Sequence, residues 1–107
     1  MSCEYILKFH NTDDIFIFKS RLERLDSYVI ESDTISVKLK SLLSNHNWDH
    51  DAIFFFDKTA LNSVDLQLSN DNTYIYNDVK SCLLGIIFNI KDEDGICYSL
   101  EDIFNIK

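Results

Sequence analysis

Proline is absent from this sequence, and glycine occurs only twice, at Gly85 and Gly95. No Pro- or Gly-rich linker therefore divides the chain, and no repeat or low-complexity tract does so either. Two isolated glycines also exclude the phosphate-cradling loops, since neither G-x-G-x-x-G nor a P-loop can be written. The three cysteines, Cys3, Cys82 and Cys97, form no CxxC pair, and an odd number argues against a secreted disulfide scaffold. The opening residues carry no basic stretch of the kind a signal peptide uses. The longest apolar run, Cys82 to Phe88, has seven residues, whereas a membrane-spanning helix needs about 20. These absences predict one soluble domain over residues 1–107 that works in a reducing cytoplasm.

Positive charge is scarce as well. Ten Lys and Arg face eighteen Asp and Glu, a formal net charge of −8. Such a field repels nucleic acids and anionic membranes and speeds encounter with basic partners, although acidity also serves solubility alone. The imbalance is sharpest between Lys40 and Lys80, where six aspartates (Asp49, Asp51, Asp57, Asp65, Asp71 and Asp78) meet a single cation, Lys58. Two Ala and two Arg beside abundant Ile, Asn, Lys, Phe and Tyr indicate AT-rich codons, as in a viral genome or an acquired island.

What is plentiful is apolar and aromatic: 46% hydrophobic residues, with eight Phe, five Tyr and one Trp. That excludes disorder for most of the chain and fills a core without staples. Cys3 to Phe9 reads as a strand. Asn11-Thr12-Asp13-Asp14 is a helix-start signal, and Ile15, Phe18, Leu22 and Leu25 then form an apolar stripe that favours a helix over a strand. Tyr28 to Glu31 and Thr34 to Leu39 read as a hairpin about Ser32-Asp33. Lys40 to Asn47 suits a short helix. Ala52 to Phe56, a continuous apolar run, suits a central strand, and Ser63 to Leu68 alternates as a strand. Ser69 to Asn72 then reads as the turn of a second hairpin leading into Thr73 to Tyr76. Asp78 to Ile90 fits either a helical face (Leu83, Leu84, Ile87, Phe88) or, from Ile86, a strand paired with Ile96 to Ser99. Ser99 and Asp102 make a capping pair for a last short helix ending near Asn105. The expectation is an α+β fold, a mostly antiparallel sheet with two or three helices packed on one face.

Few residues are arranged for chemistry. His46 and His50 would share a helical face as a two-ligand edge for zinc, with Asp49, Asp51 or His10 completing the set, but no HExxH and no downstream ligand pair accompanies them. The spacing does not match the wider metal site of HNH nucleases. No nucleophile elbow is present, and Cys82 and Cys97 lie in apolar surroundings. The pairs Asp13-Asp14, Asp92-Glu93-Asp94 and Glu101-Asp102 fall at helix starts or turns, where acids are locally favoured. No catalytic residue, metal or cofactor is expected.

Trp48, Tyr74 and Tyr76 lie among acids, which suits a protein interface better than a nucleic-acid surface, because the flanking residues are Asp71 and Asp78 rather than Arg or Lys. In size and composition the chain resembles the small acidic immunity proteins of bacterial toxin–immunity systems, including those of contact-dependent growth inhibition. No motif carries that resemblance. It implies a monomer or weak homodimer that binds a basic protein, a cognate nuclease toxin, and occludes its active site or an adjacent surface. The expected charge partners are Asp49, Asp51, Asp71 and Asp78, with Trp48, Tyr74 and Tyr76 as aromatic anchors. The alternatives are a phage or viral nucleic-acid mimic that blocks a host defence nuclease, and a small metal-dependent enzyme centred on His46 and His50.

Overall fold

The computed structural model describes residues 3–25, 29–32, 35–41, 50–69, 73–104 and 106. Seven strands form one sheet: β1 (Cys3–Phe9), β2 (Val29–Ser32), β3 (Ser36–Leu39), β4 (Ala52–Phe55), β5 (Ser63–Leu68), β6 (Phe88–Lys91) and β7 (Cys97–Tyr98). Three α-helices accompany it: α1 (Thr12–Glu23), α2 (Tyr76–Cys82) and α3 (Leu100–Ile103). The strand order is β2-β3-β4-β5-β1-β6-β7, and every neighbouring pair is antiparallel. This is the α+β architecture expected from the sequence.

The first strand lies inside the sheet, between β5 and β6. That order makes β1 parallel to β2, and β5 parallel to β6. Parallel strands cannot be joined by a tight turn, so each pair needs a crossover, and α1 and α2 supply the two. Both helices lie on the same face. Arg21 of α1 donates from Nη1 to the carbonyls of Cys82 (3.2 Å) and Leu84 (2.8 Å) at the end of α2. A cation placed there meets carbonyls that have no partner within the helix.

The stripe Ile15, Phe18 and Leu22 of α1 is fully buried. It packs on the inward residues of the strands, among them Leu7, Phe9, Val37, Leu39, Phe54, Val64, Leu66, Leu68 and Ile90. Phe18 is the hub: its ring stands edge-on to Phe54 at 5.2 Å and lies 5.7 Å from Phe9. Helix α3 closes one end through an edge-on contact of Phe104 with Tyr76. Its start is fixed by a full capping box, with Ser99 and Asp102 satisfying each other's backbone N–H.

One expected element is different. Thr73–Ile75 forms a 3-10 turn and Tyr76 begins α2, so the second hairpin does not form. Ile75, Tyr76, Val79 and Cys82 are all buried and recur at helical spacing, which outweighs the β propensity of the Tyr-Ile-Tyr run. Within 78–90 the helix ends at Cys82, so Leu83, Leu84, Ile87 and Phe88 do not form the expected helical face, and Leu84 and Ile87 are exposed. The strand reading holds from Phe88, which opens β6 paired with β7. Gly85, at φ +79°, turns the chain between them. The expected Lys40–Asn47 helix lies largely outside the described residues, as do the turn 70–72 and Asn105.

Candidate functional site

The strands have two faces, and helices take one. Among the described residues, no helix covers the other. Its composition follows from the register. One row across the sheet reads Ser36, Phe55, Asp65, Ile6, Lys91, Cys97. The neighbouring row reads Lys38, Ile53, Gln67, Glu4. Ile6, Ile53 and Phe55 are only part-buried there, so the middle of this face is apolar around a single carboxylate, Asp65, with Lys38, Lys91 and Glu4 further out.

A hollow of about 320 Å³ opens on this face. Phe55 and Ile6 flank Asp65 on its floor, and Glu4, Gln67, Lys58 and Glu93 complete its wall. Three carboxylates thus face one ammonium. Lys58 reaches across to Asp65 with Nζ 3.0 Å from Oδ2, and that hydrogen-bonded pairing holds its pKa above the ordinary lysine value. A second, shallower hollow adjoins the first, sharing Glu4 and Glu93 and adding Asp92 and Asp94.

The β6–β7 turn owes its shape to Asp92. Its carboxylate accepts from the Tyr98 hydroxyl (2.7 Å) and from the backbone N–H groups of Asp94 (2.9 Å) and Ile96 (3.0 Å). The tyrosine bond, followed by the backbone amides, keeps the Asp92 carboxyl below its usual range. The same bond pushes the Tyr98 phenol up to about 12. Gly95, at φ +81°, completes the turn. Asp92 is therefore held by its own turn, while Glu4, Glu93 and Asp94 stand exposed.

The residues expected from the sequence to meet a partner are distributed differently. Trp48, Asp49 and Asp71 lie outside the described residues, as does His46. Asp51 is 0% exposed, and its Oδ2 accepts from the Ser41 N–H at 2.8 Å. A role as a surface charge partner does not fit that burial. Tyr76 is 7% exposed, with its ring on Phe104 and its hydroxyl donating to Glu101, so it anchors α3 to α2. Tyr74, 45% exposed, and Asp78, in the first turn of α2, stand four residues apart on the helical side of the molecule. His50 is buried at the edge of β4. Among the described residues, no group of three His, Cys, Asp or Glu is placed to hold a metal ion.

The sequence marks Asp65 only as one of six aspartates and Glu93 only as part of an acidic turn, and does not mark Glu4, because the three are far apart along the chain and meet only through the pairing of β1 with β5 and the β6–β7 turn. One local signal did point to this face. A strand that is apolar at successive residues reads as buried on both sides, and Ala52-Ile53-Phe54-Phe55 is such a strand with a helix layer on only one. Cys82 is buried, and burial lifts its thiol to about 11, which makes it a small apolar side chain rather than a nucleophile. No helix among the described residues is long and apolar enough to cross a membrane. No protein-family model, curated protein or solved structure matches the chain.

Proposed function

We propose that this protein is an inhibitor that acts by binding: an immunity protein that neutralises a basic partner, foremost a nuclease toxin, by occluding its active site or an adjacent surface. The observation that carries this reading is the hollow on the open sheet face, where Ile6 and Phe55 flank Asp65 and three carboxylates (Glu4, Asp65 and Glu93) meet one ammonium, Lys58, with Lys38 and Lys91 elsewhere on the same face. An interface of this kind has an apolar centre to exclude water and a charged rim to steer approach. A net charge of −8 adds long-range attraction for a protein that grips phosphates and so presents Lys and Arg.

Affinity capture from the native host at low salt, with a high-salt wash, is expected to retain one stoichiometric basic protein. That protein cleaves nucleic acid or arrests growth when expressed alone, and adding this chain abolishes the effect. If no basic protein is retained, or the retained protein keeps its full activity in the complex, the inhibitor reading falls.

A further inference from the structure

Resting on that reading, we propose that the hollow on the open sheet face receives one arginine side chain of the basic partner, and that Lys58 occupies its charge position in the free protein. The register sets the dimensions. Phe55 and Ile6 each lie directly opposite Asp65, so the carboxylate stands between two apolar side chains. Adjacent strands lie about 4.8 Å apart, which makes the apolar floor roughly 10 Å wide. Glu4 is paired with Gln67, two residues along β5 from Asp65. Side chains in that diagonal relation stand about 7–8 Å apart on one face. A guanidinium lying between them reaches both carboxylates, and Glu93 closes the third side.

Arginine fits this arrangement better than lysine. Its planar fork donates in two directions at once, while an ammonium acts as a point charge. The flat cation also lies well on an aromatic face such as Phe55, and its aliphatic stem covers apolar floor that water otherwise wets.

Lys58 shows that the hollow already accommodates one cation of this chain. Its ammonium already sits 3.0 Å from Asp65, inside the same hollow. The two side chains are 50% and 30% exposed, so the pair is screened by water and weakly held. An incoming guanidinium that meets Asp65 and Glu4 together outcompetes it, and Lys58 then swings out to solvent. Lys58 thus lowers the affinity for every cation by a constant factor and leaves the preference to whichever ligand spans both carboxylates.

The test is an NMR titration of the isotope-labelled full chain with a short peptide of alternating glycine and arginine, and with its lysine counterpart. The arginine peptide is expected to shift the amides of Glu4, Ile6, Phe55, Asp65 and Gln67, and to bind several-fold tighter than the lysine peptide. Lys58→Met tightens it about threefold or more. The double variant E4Q/E93Q, both at exposed positions, weakens it at least fivefold, whereas D13N/D14N on α1 leaves it unchanged. Shifts centred instead on Ile17, Leu84 and Ile87 of the helical side would overturn the proposal. So would equal loss in the two double variants, or weaker binding by Lys58→Met. The peptide reads the hollow without the partner, so the two readings fail separately. A captured toxin whose affinity ignores E4Q/E93Q sinks the arginine seat alone, and absence of any captured partner sinks the inhibitor reading alone.

Discussion

Asp92 and Tyr98 show how one side-chain bond can fix a turn and set a pH window. The phenol donates to the carboxylate at 2.7 Å, so folding favours the protonated tyrosine and the ionised aspartate. For Tyr98 the folded value is raised to about 12, against about 10 for a tyrosine in an unfolded chain. Its contribution is therefore complete below about pH 10 and is lost as pH rises through 12. For Asp92 the folded value is lowered, so its contribution is present above about pH 4 and is lost as pH falls below that. Tyr98→Phe removes the bond from both limbs. Urea midpoints for wild type and variant are expected to differ most near neutral pH and to converge towards both extremes. No gap at any pH would mean that Tyr98 contributes only through its ring, which phenylalanine keeps and which packs edge-on to Tyr5 at 5.3 Å, and not through its hydroxyl.

At the level of elements, Asp51 matters because it ties three strands together. Its carboxylate holds the Ser41 N–H beyond the end of β3, its own N–H donates to Leu39, and its carbonyl accepts from Ser69 just past β5. Asp51→Ala leaves a buried N–H without its charged acceptor, at a cost of about 2 kcal/mol, read as a lower urea midpoint with unchanged slope. A loss within a few tenths of a kcal/mol would show that water replaces the carboxylate there. The sequence shows Asp51 only as one of six aspartates in a cation-poor stretch, and nothing local marks it as the inward one. Elements with their own periodicity were legible: the alternation of Val64, Leu66 and Leu68 and the Ser99–Asp102 capping pair appear as read, and so does the α1 stripe through Ile15, Phe18 and Leu22, with Leu25 falling past the helix end. Thr73 to Tyr76 was not, because four β-prone residues conceal a helical period that becomes visible only when Val79 and Cys82 are included. The placement of β1 between β5 and β6 was beyond reach for a different reason. Pairings separated by some 60 and 80 positions leave no trace in local pattern, and the acid-rimmed hollow is built from those two pairings.

Across the whole molecule, the excess of acids acts on stability and on binding with opposite signs. Eighteen carboxyl groups against ten cations repel one another in the compact state more than in the expanded chain. Exposed ion pairs such as Lys19–Glu23 and Lys58–Asp65 offset little of this, since water and salt screen them. Salt shortens the reach of the repulsion from about 30 Å at 0.01 M to about 8 Å at physiological strength. The urea midpoint of the free protein is therefore expected to rise between those two salt concentrations. Over the same range, association with a cationic partner slows and weakens, because the field that strains the free protein is the one that steers the encounter. Measured side by side, the two curves should cross in direction: stability up, affinity down. A midpoint that falls with salt would mean that local pairs and the Arg21 bridge to α2 outweigh the net charge. An affinity that ignores salt would shift the binding energy from the carboxylate rim to the apolar centre formed by Ile6, Ile53 and Phe55.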